Sequence, residues 1–445
     1  MTDLRGKKIV VAGAGVSGVA AANFCHRRGA QVILSDTRRA DAITGLDRIA
    51  SAIRLDCGGH TPSLFENADL IILSPGIPLH TPAIYNGVEA GVPVWGEVEL
   101  ASRFLQIPIL AITGTNGKST VTSLCGHILR TCGERVFVGG NIGTPLIEAV
   151  DGDYSIAVVE LSSFQLESVV TFHPQVAVLL NLSPDHLDRY PDMHAYMQAK
   201  RNIFVRQNAA DLMVLNQDDA QVLELAHGFE AQRMCFSSST RIENGLSLDV
   251  PFIHWAFKGE SYRFDARALQ VEGTHNLENV MAALAACSVC GYAPEEMWEA
   301  ACTFKGLPHR MELVRTLNGV RWYNDSKGTN IGSVEKSLSG LNLPVTLIAG
   351  GKDKGGDYAL LRPILSEKRP HLILMGAAAD KMAQAWGDLC RITRVGSMSE
   401  AVECAYKHTQ APGSVLLSPG CSSFDMFSSF VERGEAFSAL VRALE

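Results

Sequence analysis

The run Gly114-Thr115-Asn116-Gly117-Lys118-Ser119-Thr120 places two glycines, a lysine and two consecutive hydroxyls within seven residues. Glycine-rich backbone can turn its N–H groups toward a phosphate, and a following helix N-terminus adds positive potential. Lys118 can reach terminal phosphates, and the Ser119 or Thr120 hydroxyl can ligate Mg²⁺. The chemistry indicated is binding of a nucleoside triphosphate. The common P-loop spacing would place glycine at 112, where this chain has Ile112, so the loop is a shortened relative. On this string alone, an ordinary strand-to-helix turn with a solvated lysine remains the plain alternative.

A second glycine-rich string, Gly13-Ala14-Gly15-Val16-Ser17-Gly18, precedes Asp36 at the distance of a dinucleotide fingerprint. Its first reading is NAD binding, but the same turn serves any phosphate at a helix N-terminus, so the ligand stays open. Ser74-Pro75-Gly76 ends another apolar run, as a ligand-binding turn or as a plain connector. Glu160 closes an apolar strand, where a Mg²⁺ ligand would sit, or is a solvated strand terminus. A dense polar segment, Asn181 to Tyr190, contains His186, and Lys200 by itself reads as a surface residue. Further polar strings lie at 273–279, 309–310, 324–330, 350–356 and 418–427.

The elements that must position these groups are short apolar strands alternating with helical patterns. Strands are expected at Lys8–Ala12, Gln31–Ser35, Asp69–Leu73, Val92–Trp95, Ile107–Ile112, Tyr154–Val159, Val176–Leu180, Val320–Tyr323, Val345–Ala349, Leu372–Met375 and Ser414–Leu417. Helices are expected from the loop at 114–120 to Cys132, at Met193–Val205 and at Asn279–Cys290; the stretch between Val205 and Gly273 is weakly patterned. Strands that end in polar loops and alternate with helices imply parallel α/β sheets with ligands along their carboxyl edges. A chain of 445 residues calls for two or three domains.

A formal charge of −8 argues against a large nucleic-acid surface. The eleven cysteines lack paired zinc spacing and fit free thiols in a reducing compartment; the CxxC at Cys287 and Cys290 lies in a helical pattern and reads as buried small residues. Arg5, Lys7 and Lys8 precede an apolar stretch as in a signal peptide, but Gly13-Ala14-Gly15 interrupts it after one strand length, so a strand and helix are expected there instead. No run reaches transmembrane length, and a cytoplasmic location is expected.

Taken in order, GTNGKST at 114–120, Glu160, the His186 segment, Lys200, HNxxN at 275–279, HR at 309–310 and NDSKGTN at 324–330 resemble the Mur ligases. These are the ATP-dependent amide ligases that build the peptide of bacterial peptidoglycan, and the resemblance extends over nearly the whole chain. Within the family it points to the branch that adds D-glutamate to UDP-N-acetylmuramoyl-L-alanine. SPGCSSFDMF at 418–427, GGKDKGGD at 350–357 and the absence of a DNPR-type motif support that branch. Siblings adding L-alanine or L-glutamate are the nearest alternatives, and an NAD-dependent oxidoreductase a remote one. Gly328 stands where the family pattern has alanine, which is expected to loosen the turn.

The resemblance implies an α/β fold of three domains: a Rossmann-like N-terminal domain (1–96) for the UDP substrate, a central P-loop-type ATPase domain (97–306) and a Rossmann-like C-terminal domain (307–445) for the amino acid. It implies ATP bound by Gly114, Thr115, Asn116, Gly117, Lys118, Ser119 and Thr120, with Asn276 on adenine and Arg310 and Asp325 on the nucleotide. Two Mg²⁺ sites are implied, one with Ser119 or Thr120 and Glu160, the other with His186 and Lys200 as its carbamate. An ammonium cannot ligate a metal, whereas a carbamate presents two anionic oxygens. Lys327 would face the transferring phosphoryl group. The fingerprint changes meaning in this light: Val16, Ser17, Asp36, Thr37, Arg38, Ser74 and Gly76 become UDP contacts, with Asn141 and His186 nearby. The amino acid would meet Thr329, Lys354, Ser423 and Phe430, with Lys352 the alternative to Lys354. A monomer that closes its third domain before chemistry is expected.

Overall fold

Each apolar run that ends in a glycine-rich or polar turn becomes a parallel strand, because a strand covered on both faces needs continuous Val, Ile, Leu and Ala. The computed structural model describes residues 2–445 except 187–188, 258, 342–343 and 354, so Lys354 lies outside the described residues. The chain divides into two compact units. One holds Met1–Leu182, Asp192–Ala266 and Asn279–Cys302; the other holds Ser183–Pro191, Arg267–Glu278 and Thr303–Glu445.

The first unit carries two sheets. Strands β1 (Lys8–Ala12), β2 (Gln31–Asp36), β3 (Arg54–Cys57), β4 (Leu70–Leu73) and β5 (Val94–Gly96) form a parallel sheet of order β3-β2-β1-β4-β5. Chain order reverses at β1, so a crevice opens at the carboxyl ends of β1 and β4, where doubly wound sheets bind ligands. Gly13 follows β1 there and Ser74 follows β4.

The second sheet comprises β6 (Ile109–Thr113), β7 (Val136–Gly140), β8 (Ile156–Glu160), β9 (Val176–Leu179), β10 (Leu212–Asn216), β11 (Gln232–Ser237), β12 (Gly245–Asp249), β13 (Phe252–Phe257) and β14 (Glu260–Asp265). Its order is β14-β13-β12-β11-β10-β9-β6-β8-β7. Strand β6 lies between β8 and β9, all five of its residues are buried, and Ile112 pairs with Glu160. The loop at 114–120 therefore leaves the sheet at its switch point. The last two strands run antiparallel.

The second unit contains β15 (Glu312–Leu317), β16 (Val320–Asn324), β17 (Val345–Gly350), β18 (His371–Met375), β19 (Ile392–Arg394) and β20 (Gly413–Leu417), in the order β15-β16-β20-β17-β18-β19. Only the β15 pairing is antiparallel. Apolar layers cover both faces, one around Leu347, Leu372, Trp386 and Leu416, the other around Trp322, Ile348, Ile373 and Phe437. Among the described residues no helix is long and apolar enough to cross a membrane.

The expected strands form within one or two residues of their expected bounds. The weakly patterned stretch from 206 to 272 differs, since it holds β10 to β14 and a helix at Ala220–Leu225. Within it β10 is a fully buried and nearly unbroken apolar run, while β14 is largely exposed and mixes Glu, Ser and Arg with its apolar residues. The helix expected at Asn279–Cys290 spans Thr274–Cys287, with a 3₁₀ turn at Ser288–Cys290. The helix beginning at Met193 stops at Arg201.

Candidate active site

The loop after β6 is held from beneath by one asparagine. Asn181 accepts the Asn116 N–H at 2.8 Å on its side-chain oxygen and donates to the Asn116 carbonyl at 3.0 Å, while its own carbonyl accepts the Thr115 N–H at 2.9 Å. Gly117 takes φ +87° as the N-cap of the helix Lys118–Thr131, and a Cβ there would lie 2.5 Å from Asn279 Oδ1. Only glycine meets both demands cheaply. Lys118 Nζ donates to the carbonyls of Gly114 and Thr115 at 2.9 and 2.8 Å, and Ser119 and Thr120 lie buried in the first helical turn.

Two more groups from sequence-distant elements reach this loop. Lys200 is 1 % exposed; its Nζ donates to Gly114 O at 2.8 Å and lies 4.7 Å from the centre of the Tyr196 ring. The Tyr196 hydroxyl lies 3.1 Å from Thr115 Oγ1. Glu160, also 1 % exposed, pairs beside Ile112 and accepts Asn141 Nδ2 at 2.7 Å on Oε1. Its Oε2 is buried and without a hydrogen-bond partner. A buried carboxylate oxygen left unpaired is suited to a cation. Mg²⁺ is bound in nucleotide sites by one or two carboxylates plus phosphate oxygens, so one carboxylate at the end of the strand next to the one that leads into the loop fits it. A dense cluster is not needed; no group of three or more His, Cys, Asp and Glu suited to a metal occurs among the described residues.

At the crevice of the first sheet, Asp36 accepts the Ala14 N–H at 2.7 Å and receives Arg38 through its backbone N–H, Nε and Nη2 at 2.8, 2.9 and 2.8 Å. The Arg38 guanidinium holds the Asp36 carboxyl far below the usual carboxylate range. Ser74 Oγ donates to Gly13 O at 2.9 Å, tying the turn after β4 to the turn after β1. Val16, Thr37 and Gly76 are exposed around them, and Ser17 is half-buried.

In the second unit, Asp325 accepts the Ser337 and Ser418 hydroxyls, both at 2.8 Å on Oδ2. Burial pushes its carboxyl up to about 6, against these hydrogen bonds and the charge of Arg310. A Cβ on Gly328 would lie 2.5 Å from Asp325 Oδ2 and 2.8 Å from Ser418 Oγ, so this glycine closes the turn and does not loosen it. Lys327 Nζ sits 3.8 Å from the centre of the Phe430 ring, a cation–π contact. Ser423 is buried, and Thr329 half-buried. Asn276 donates to Glu272 O at 2.8 Å. His186 takes φ +57°, unusual for a non-glycine residue, with Nε2 3.7 Å from Asp185 Oδ2. Lys352 is exposed, and its backbone pairs with Ser422.

Sequence reasoning left out Asn181 and Tyr196 as site residues, and also Arg433. Arg433 is 2 % exposed and donates to Ser326 Oγ, Ser326 O and Cys421 O, joining the 324–330 loop to the 418–427 segment. An arginine on an amphipathic helix carries no local signal that it will be buried. Asn181, by contrast, stood at the end of an apolar strand, which was a usable signal.

Three family models match this chain: the MurD-like N-terminal domain of Mur ligases at residues 7–96, the Mur ligase middle domain at 112–287 and the Mur ligase glutamate ligase domain at 309–421. The UDP-N-acetylmuramoylalanine–D-glutamate ligase of Syntrophotalea carbinolica is 52% identical, over 100% of this chain and 99% of that protein. The chain belongs to the Mur ligase family. Another relative of the same name, from Geobacter sp., is 46% identical over 99% of this chain and 98% of its own length. Solved Mur ligase structures share the fold: UDP-N-acetylmuramate–alanine ligase MurC from Thermotoga maritima aligns with TM-score 0.59 at 18% identity, over 98% of this chain and 99% of that one. MurF from Acinetobacter baumannii aligns with TM-score 0.61 at 17% identity, over 99% and 92%. The three-domain organisation and the ligase class of this Mur ligase follow from these matches.

Proposed function

We propose that this Mur ligase joins D-glutamate to UDP-N-acetylmuramoyl-L-alanine in peptidoglycan synthesis, consuming ATP and passing through an acyl phosphate. The observation that carries the reading is full-length identity of 44% to 52% with relatives that bear the D-glutamate ligase name. The first-sheet site also favours a UDP group over NAD, because Arg38 occupies the Asp36 carboxylate that an NAD ribose would need.

A free carboxylate is a poor electrophile, so the alanyl carboxylate must first take the γ-phosphoryl group. The backbone of 114–119 and Lys118 would hold the triphosphate, with Lys118 turning from the Gly114 and Thr115 carbonyls to the phosphates. Bound Mg²⁺ would neutralise phosphate charge, held by Glu160 and the Ser119 or Thr120 hydroxyl at one position, and by His186 and carbamylated Lys200 at a second. Lys327 would offset the charge that develops on the transferring group. Asn276, Arg310 and Asp325 would contact the nucleotide. Thr329, Ser423, Phe430 and either Lys354 or Lys352 would receive the amino acid, whose two carboxylates call for cationic and hydroxyl donors. Val16, Ser17, Asp36, Thr37, Arg38, Ser74, Gly76 and Asn141 would hold the UDP moiety, with His186 nearby. The amine of D-glutamate then attacks the acyl phosphate, and phosphate leaves.

We assign the domains as 1–96, 97–306 and 307–445, and the working form as a cytoplasmic monomer; the eleven free thiols suit a reducing compartment. The test is ATP-dependent phosphate release with UDP-N-acetylmuramoyl-L-alanine and D-glutamate, L-glutamate or L-alanine in turn. Turnover with D-glutamate alone is expected. Turnover with another amino acid in its place overturns the reading.

A further inference from the structure

Asp36 is flanked by a partly buried polar relay that the ligase chemistry does not use. Ser35, immediately before it on β2, is fully buried and stands opposite Asp56 on β3. Its hydroxyl donates to Asp56 Oδ2 at 2.7 Å and lies 2.8 Å from His60 Nδ1. Asp56 also accepts the Thr61 N–H at 3.1 Å and the Thr61 hydroxyl at 2.8 Å. Burial works against the Asp56 carboxylate, but these hydrogen bonds outweigh it and keep it ionised.

The proton inventory fixes the histidine. Ser35 has one proton, and Asp56, an ionised acceptor, takes it. The Ser35 oxygen can then only accept from His60, which sets the imidazole proton on Nδ1. Burial keeps the ring neutral, lowering its pKa against the pull of Asp36 and Asp56. Nε2 is buried without a partner, and the ring stands edge-on to Phe65 with centroids 5.5 Å apart.

The loop that carries this histidine is tied to the backbone on either side of Thr37. Gly58 N–H donates to the Asp36 carbonyl at 3.1 Å and to the Arg38 carbonyl at 2.9 Å, and Gly59 N–H to the Asp36 carbonyl at 3.4 Å. The Ser35 carbonyl accepts the Gly13 N–H at 2.7 Å, which links the same strand to the fingerprint turn. A change at His60 therefore reaches both the turn after β1 and the turn after β2.

We propose that His60, Ser35 and Asp56 form a positioning relay that sets the backbone of Asp36, Thr37 and Arg38 and so tunes the affinity for the UDP substrate. The proposal rests on the reading that those three residues hold the UDP group. None of the relay residues needs to touch the reacting atoms.

The test varies UDP-N-acetylmuramoyl-L-alanine, ATP and D-glutamate separately in steady-state kinetics. His60→Leu is expected to raise KM for the UDP substrate roughly five- to ten-fold, with kcat and the other two KM values within about two-fold. His60→Asn places an amide N–H where Nδ1 was and should restore much of the loss. An unchanged UDP-substrate KM, an equal loss in all three KM values, or no difference between Asn and Leu overturns the relay. Should His60→Leu fail to fold, Ser35→Ala removes the shared hydroxyl and is read by the same criteria. Asp36→Ala separates the two claims: if it leaves the UDP-substrate KM unchanged, the reading of the site fails. If it raises that KM while His60→Leu does not, only the relay fails.

Discussion

Lys200 Nζ donates to the carbonyl oxygen of Gly114, 86 residues earlier in the chain, at 2.8 Å. The contact places a nearly fully buried lysine against the first glycine of the phosphate loop. A carbamate keeps one N–H on that nitrogen, so it can retain this hydrogen bond while offering two anionic oxygens to a cation. Lys200→Ala is expected to lower ligation about 100-fold or more. Added acetate should restore part of it, and the parent enzyme should slow when bicarbonate is stripped from the buffer. Full activity in the unrescued variant would contradict the carbamate role.

Gly117 is constrained twice, by φ +87° and by Asn279 Oδ1, which lies 2.5 Å from where an alanine methyl would stand. Gly117→Ala must strain the loop or push Asn279 away, at a cost of about 1–2 kcal/mol. The expected result is a rise of roughly ten-fold in KM for ATP with the UDP-substrate KM near the parent value. Isothermal titration with a non-hydrolysable ATP analogue measures it directly.

Asp36 organises the other ligand edge through Ala14 and Arg38. Removing its carboxylate frees Arg38 and leaves the Ala14 N–H unpaired. Asp36→Ala should weaken the UDP substrate by about ten-fold or more while ATP binding stays near normal. A loss confined to ATP would show that the two nucleotide sites had been assigned the wrong way round.

Glu97 supplies a prediction about stability. It is 2 % exposed, accepts the Ile147 N–H at 2.7 Å, and has Oε2 buried without a partner. Burial pushes its carboxyl up to about 7, opposed by the Ile147 hydrogen bond and reinforced by Glu148. Between the ordinary value of 4.5 and about 7, the folded state binds the proton and the unfolded state does not. Stability therefore falls as pH rises through this window, and the full cost is present above it. Glu97→Gln should gain on the order of 2 kcal/mol over the parent at pH 8 and little at pH 4. Denaturant melts of both proteins at the two pH values would test this; equal gains at both would exclude ionisation as the cause.

Much of the architecture was legible because parallel, doubly covered strands need unbroken apolar runs, and those runs ended where the polar loops began. Lys8–Ala12 and the loop at 114–120 are examples. Strand β14 was not legible, since it is largely exposed and its apolar residues alternate with Ser, Arg and Glu, whereas the buried apolar run of β10 carried the usual signal and was missed. The phosphate loop could be read from residue types, because its glycines are demanded by local backbone geometry. Tyr196 and Arg433 could not: nothing local distinguishes a buried polar side chain on a helix from a surface one.

By itself the sequence determined where most of the buried parallel strands lie along the chain, the phosphate loop, the fingerprint turn and, through ordered motifs, the family. Each depends on interactions between near neighbours in the chain. Tertiary structure alone decided that Lys200 meets Gly114, that Asn141 covers one oxygen of Glu160 and leaves the other bare, and that Ser35 joins Asp56 to His60. Those are pairings between residues tens of positions apart. They are set by strand order and by which polar groups must find partners once water is excluded, and no local pattern encodes either.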